Sequence, residues 1–255
     1  MFDLTKKNYC YFEEINDGVL RFIPPTADQA KPTVLDVGCG TGVLGEAIGR
    51  RGYQVWGIEE NPEAALTAKS RLSAVIEGDL TDFEGITKQI GDRQFDYLIL
   101  SDVLEHLGDP LSVLKRCVGF LKKGGCLTAS FPNAVVWTNR ISVLFGRFEY
   151  KDSGVMDKTH LRFFTFSSAK RLVSASGCRV ERTGFTPHLV RAFLPMLKWM
   201  LGFRSGAAPR KPQRGQLMNS PWYRLYLKTV YPIERLIGAI RPQLFAFRII
   251  VKASK

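Results

Sequence analysis

The sequence has no uninterrupted apolar run of the roughly twenty residues that a membrane-crossing helix needs, and its opening, Met1-Phe2-Asp3-Leu4, lacks the basic-then-apolar pattern of a secretion signal. A cytoplasmic chain is the expectation. The five cysteines, Cys10, Cys39, Cys117, Cys126 and Cys178, are odd in number and include no C-x-x-C pair. Neither a disulfide frame nor a cysteine zinc site is therefore expected. Low-complexity tracts are missing too, and 255 residues suffice for one elaborated α/β domain. Acids are nearly missing from one region: residues 187–255 carry 13 Lys and Arg against a single acid, Glu234, while residues 1–186 carry 23 of each sign. The +12 net charge thus sits in the last quarter. Such an asymmetry points to an anionic partner: a membrane surface, a nucleic acid or a phosphorylated substrate.

Two nucleotide signatures are missing as well. Val34-Leu35-Asp36-Val37-Gly38-Cys39-Gly40-Thr41-Gly42 has glycines spaced G-x-G-x-G, with Val43 where the dinucleotide fingerprint has its third glycine, and no Gly-Lys-Ser/Thr follows as in a phosphate loop. What is present is a β-branched run ending in an acid and a glycine turn, then a helix from Val43 to about Arg50, the pattern of a buried strand entering a ligand loop. Asp36 beside that loop repels a pyrophosphate and suits a ligand carrying an ammonium group and hydroxyls. Tyr53 to Glu59 reads as a second strand whose terminal acid lies at the spacing of a ribose-binding carboxylate, with Glu60 a neighbouring competitor.

An acid followed by G-x-G-x-G resembles the first motif of class I S-adenosylmethionine-dependent methyltransferases. The resemblance implies a Rossmann-like, doubly wound α/β sheet of seven strands, with S-adenosylmethionine as cofactor. It assigns Asp36, Gly38, Gly40 and Gly42 to the loop, Glu59 to the ribose, Asp79 and Leu80 to the adenine, and Ser101 to the cofactor edge. The remaining pattern agrees: Ala74 to Leu80 and Phe95 to Leu100 read as strands, Asn61-Pro62-Glu63 opens a helix to about Ser70, and Leu111 to Leu121 is a helix stopped by Lys122 to Gly125 before a strand from Cys126 to Phe131. A helix from Ser167 to Ser176 precedes a strand from Arg179 to Gly184. Asn8 to Phe22 reads as a leading amphipathic helix, either closing over the cofactor or packed on the sheet. Leu244 to Val251 reads as the last strand, antiparallel at the sheet edge in chains of this type.

The acceptor side is expected in three places. Asp102, Glu105 and His106 stand at i, i+3 and i+4, so one helical turn would put them on one face at the carboxyl edge of the sheet. They resemble the E-x-x-E-H motif of small-RNA ribose 2'-O-methyltransferases and ubiquinone-pathway O-methyltransferases; in the RNA enzymes a later histidine, matched here by His160, completes a divalent-metal site. Capping by Ser101 or Asp102, and metal-free acid–base work by His106 or His160, are the alternatives. Second, residues 132–165 form a connection long enough to be a lid, and its Arg140 and Arg162 are candidate acceptor ligands. Its run Thr159 to Thr165 resembles a segment of bacterial methyltransferases associated with surface polysaccharides and glycolipids. Third, residues 187–242 form a basic helical insertion in which Leu189 to Phe203 and Trp222 to Ile240 mix cations with aromatic residues, as membrane-interface helices do. No compact RNA-binding motif is present. The expectation is one methyltransferase domain over residues 1–255 that O-methylates a glycan, glycolipid or quinone-like acceptor at the inner membrane face. The alternatives are a non-catalytic partner of another enzyme, resembling methionine-biosynthesis-associated proteins of this fold, and an RNA ribose methyltransferase.

Overall fold

The β-branched run ahead of the glycines forms β1, Thr33–Val37, and its side chains alternate between two apolar layers. Val34 joins Ile48, Val55, Ile99 and Ile250 on one face, while Leu35 and Val37 join Ile58, Leu98 and Leu100 on the other. Burial on both faces is what a central parallel strand needs, and each fully buried Leu or Ile contributes about 1.5–3 kcal/mol. The computed structural model describes residues 15–26, 31–187 and 221–255.

Around β1 the chain lays down α1 (Asp17–Leu20), α2 (Val43–Gly49), β2 (Gln54–Glu59), α3 (Pro62–Lys69), β3 (Ala74–Glu77), α4 (Phe83–Ile90), β4 (Phe95–Ser101), α5 (Pro110–Gly119), β5 (Leu121–Pro132), α6 (Trp137–Leu144), α7 (Phe166–Ala175), β6 (Arg179–Pro187), α8 (Pro221–Ile240), α9 (Pro242–Phe245) and β7 (Ala246–Ser254). The seven strands take the order β3-β2-β1-β4-β5-β7-β6. β1 to β5 are parallel, and β7 runs antiparallel to both β5 and β6. The doubly wound seven-stranded sheet is as expected.

Several details differ from the sequence reading. β7 lies between β5 and β6, so the sheet edge belongs to β6. Its residues Ile249, Ile250 and Val251 are wholly buried, which a two-sided position permits and an edge does not require. Lys122 to Gly125 lie inside β5, whose register shifts between Phe95–Leu121 and Tyr97–Cys126 to absorb them. The leading helix contracts to α1 within the described part, because Asn16 caps it by accepting from Val19 N–H; residues 8–14 lie outside the described residues. Of the basic insertion, α8 is described, whereas residues 188–220, with the expected helix over 189–203, lie outside.

α8 packs with its apolar stripe facing away from the protein. Its Gly238 sits where a Cβ would come within 2.8 Å of the Phe185 ring on β6, and Glu234 on the same side is buried. Ile233, Leu236, Ile237 and Ile240 are exposed at 59%, 72%, 41% and 74%.

Candidate active site

The carboxyl ends of β1, β2 and β4 open onto a cavity of about 470 Å³. On the donor side the loop glycines divide their work. Gly38 has φ +69°, and a Cβ there would lie 2.6 Å from Val103 Cγ2, so only glycine fits between β1 and the segment after β4. Gly40 and Gly38 line the cavity, whereas Gly42 does not: at φ +80° it caps α2 and lies against Ala68 of α3. The third glycine therefore serves packing between the loop and α3, not ligand access. Glu59 ties β2 to the loop: one carboxylate oxygen accepts Gly40 N–H at 2.8 Å and the other accepts Asn61 N–H at 2.9 Å.

Asp36 is 1% exposed, and its Oδ2 has no hydrogen-bond partner among the described residues. Burial, and secondarily the Glu59 carboxylate, push its pKa up to about 7. A buried carboxylate with an orphaned oxygen is a costly feature unless a cation joins it. The donor set thus fits S-adenosylmethionine, whose net positive charge would meet Asp36 and whose hydroxyls would meet Glu59. Asp79, Leu80 and Ser101 line the same cavity.

The other side of the cavity is built from the chain at the end of β4, residues 152–160 and the start of β7. After β4 the chain makes a single 3-10 turn, Leu104–His106, in place of the expected α-helical one. Asp102 stands ahead of that turn, and its backbone does not continue it. Asp102 itself adopts φ +56°, and its carboxylate is held by Ser130 Oγ at 2.7 Å and by Arg248 Nε. Asp102 consequently stays out of the group expected to hold a metal. Glu105, His106 and His160 do converge, each offering a ligand atom within 4.8 Å of the others, and the two imidazole rings stand 4.9 Å apart.

Glu105 is 1% exposed, both its oxygens lack hydrogen-bond partners among the described residues, and burial followed by Asp102 pushes its pKa well above the carboxylate range. His106 is pulled down to about 4, first by burial and then by His160. Its Nδ1 lies 3.3 Å from the Thr159 carbonyl, and His160 Nδ1 lies 3.1 Å from the Val155 carbonyl. Ligating histidines are oriented by such contacts. The lid is seated here because Leu161 and Arg162 donate their backbone N–H groups to Glu105 O at 2.8 and 3.0 Å.

Arg140 and Arg162 do not line the cavity. Arg140 Nε donates to Val135 O, and Arg162 donates to Gly108 O, so each ties chain segments together outside it. The cations that line it are Lys158 and Arg248. An arginine in an otherwise apolar final strand was the available signal for Arg248. Asn16 was legible only as part of the leading helix; its amide donates to Ser101 Oγ and Ser130 Oγ, both at 3.0 Å, and it lines the cavity.

A family model described as a methyltransferase domain matches residues 8–183. The chain belongs to the class I S-adenosylmethionine-dependent methyltransferase family. Relatives of this methyltransferase include the ubiquinone biosynthesis O-methyltransferase of Pseudomonas paraeruginosa, 40% identical over 124 residues, which are 47% of this chain and 53% of that protein. The protein of the same name from Thiobacillus denitrificans is 30% identical over 178 residues, covering 68% and 76% of the two chains. In the first of these matches the methyltransferase spans about half the length of its curated relative. Among solved structures, a SAM-dependent methyltransferase from Archaeoglobus fulgidus superposes with a TM-score of 0.57 at 19% identity, covering 93% of this chain and 91% of that one. Magnesium protoporphyrin IX methyltransferase from Synechocystis, with bound SAH, gives 0.51 at 14% identity, covering 88% and 74%. These likenesses show the fold.

Proposed function

We propose that the protein transfers a methyl group from S-adenosylmethionine to a hydroxyl oxygen of a glycan, glycolipid or quinone-like, lipid-linked acceptor at a membrane face. The observation that carries this reading is one cavity in which the donor acids Asp36, Glu59 and Asp79 meet Glu105, His106 and His160. S-adenosylmethionine supplies an electrophilic sulfonium methyl. Asp36 and Glu59 hold the donor end, and the histidines face the reacting hydroxyl, where a neutral imidazole takes its proton as the oxygen attacks in line. The ubiquinone-pathway names of the relatives support oxygen as the nucleophile.

Among the described residues the cavity wall carries eight acidic side chains against Lys158 and Arg248. That balance disfavours a phosphate chain, which weighs against RNA and against the polyanionic acceptor that the basic insertion first suggested. The anionic partner is better placed outside, at α8. Its exposed stripe of Ile233, Leu236, Ile237 and Ile240 is accompanied by exposed Lys228, Arg235 and Arg241, a pairing suited to an anionic lipid surface. A second exposed apolar run, Leu144, Phe145, Phe148 and Tyr150, follows α6 in the lid.

One observation favours a metal-assisted version. Glu105 has two buried oxygens without partners beside two imidazoles, and a divalent ion on Glu105, His106 and His160 would lower the pKa of an acceptor hydroxyl. The donor types fit a transition metal or zinc. Methyl transfer that survives exhaustive chelation, with no metal by elemental analysis, leaves the histidines as the base.

The deciding experiment is isotope-labelled methionine followed by mass spectrometry of glycans, lipids and quinones from cells with and without the protein. A labelled methyl ether present only with the protein is expected. Tight cofactor binding with no labelled product in any fraction would favour the non-catalytic partner instead.

A further inference from the structure

We propose that Asp157 and Thr159 are positioning residues that fix His106 in its Nδ1–H tautomer, so that seating the lid and arming the base are one event. The inference rests on the reading above, that His106 works through its imidazole lone pair. Asp157 Oδ1 accepts two hydrogen bonds from Thr159, one from the backbone N–H at 2.8 Å and one from the hydroxyl at 2.7 Å. The hydroxyl's single proton is thereby committed to the carboxylate. His106 Nδ1 lies 3.2 Å from that same hydroxyl oxygen and 3.3 Å from the Thr159 carbonyl. A carbonyl cannot donate, and the hydroxyl has nothing left to donate, so Nδ1 must carry the hydrogen. The lone pair then resides on Nε2.

Asp157 and Thr159 belong to the lid, and the base belongs to the turn after β4. The same lid segment is seated on that turn through the backbone bonds of Leu161 and Arg162 to Glu105 O. Raising the lid therefore withdraws both acceptors from Nδ1 together. An imidazole released to water favours the opposite tautomer, with hydrogen on Nε2, which can neither take a proton there nor bind an ion. In the reaction the acceptor proton goes to Nε2 and the Nδ1 hydrogen stays in place. No proton travels through Thr159.

The test reads the tautomer directly. The full chain contains three histidines, so 15N-histidine labelling with long-range proton–nitrogen correlation, assigned by a His106→Gln control, resolves His106. At a pH where the ring is neutral, the wild-type protein is expected to show a protonated Nδ1 and a lone-pair Nε2. Thr159→Val is expected to move His106 toward the Nε2–H form, and Thr159→Ser to restore the wild-type signature. Asp157→Ala, which removes the acceptor and frees the hydroxyl proton to turn toward Nδ1, is expected to do the same as Thr159→Val and serves as the test if that variant does not fold. A wild-type Nε2–H signal, or a signature unchanged by either substitution, overturns the proposal. Because no turnover is needed, that failure is separate from a failure of the methyl-transfer reading.

Discussion

Asp36 is where the chemistry of the donor side is most exposed to test. Its folded pKa of about 7 lies above the unfolded value of 3.8, so between those values the folded state holds a proton that the unfolded chain has released. Stability of the ligand-free protein accordingly falls as pH rises through that window and levels off above it. Asp36→Asn is expected to remove this slope, raising the melting temperature near pH 8 by the equivalent of about 1–3 kcal/mol, measured by calorimetry at pH 5 and 8. The same variant should bind S-adenosylmethionine at least about tenfold more weakly, and wild-type affinity should itself fall by up to about tenfold between pH 8 and pH 6 as Asp36 gains its proton. At the other end of the cavity, Glu105→Gln keeps the shape and removes the carboxyl group that would hold an ion beside His106 and His160. Its expected effect is a loss of about 10²–10⁴ in the rate of methyl transfer, with cofactor affinity unchanged in isothermal titration. Asp36, Glu59 and Asp79 could be singled out in the sequence because each stands within two residues of the carboxyl end of a strand. Thr159, Asp157 and Arg248 were not, because their partners His106 and Asp102 lie 51 to 146 residues away, and the one local sign, an arginine in an otherwise apolar strand, names no partner.

At the scale of elements, short structures overruled periodicity. An i, i+3, i+4 pattern presumes one continuous helical turn from Asp102, but Asp102 passes through φ +56° ahead of a 3-10 turn that spans only Leu104–His106, which leaves its carboxylate on Arg248 and Glu105 and His106 beside His160. Gly38 illustrates how little room that turn allows. Gly38→Ala is expected to cost about 1–3 kcal/mol in chemical denaturation, since it combines φ +69° with a Cβ 2.6 Å from Val103. The helix of α8 was legible from its periodicity, but which face it buries was not: Gly238 lets one side approach Phe185, and the apolar stripe is left outward. Leu236→Asp with Ile240→Asp is therefore expected to leave the melting temperature within about 2 °C of wild type while abolishing sedimentation with anionic vesicles. Equal sedimentation of variant and parent would assign that face to a different partner.

For the whole molecule, the two apolar layers and the cavity between the strand ends are coupled through β1, whose alternate residues supply both layers and whose Asp36 supplies the site. Ligand binding should register as global stability. S-adenosylhomocysteine at about 100 times its dissociation constant adds about 2.7 kcal/mol, an upward melting shift of about 5–10 °C for a chain of this length. A chain without a functional cofactor site shows no such shift.

The place of β7 between β5 and β6 carries one more consequence, for synthesis. β5 and β6 are translated long before their common neighbour, and until residues 246–254 emerge both present an unpaired edge beside an incomplete cavity that lacks Arg248. A ribosome-bound chain stopped ahead of β7 should expose two sticky strand edges to chaperones, and enzymatic competence should arrive abruptly once residues 246–254 emerge.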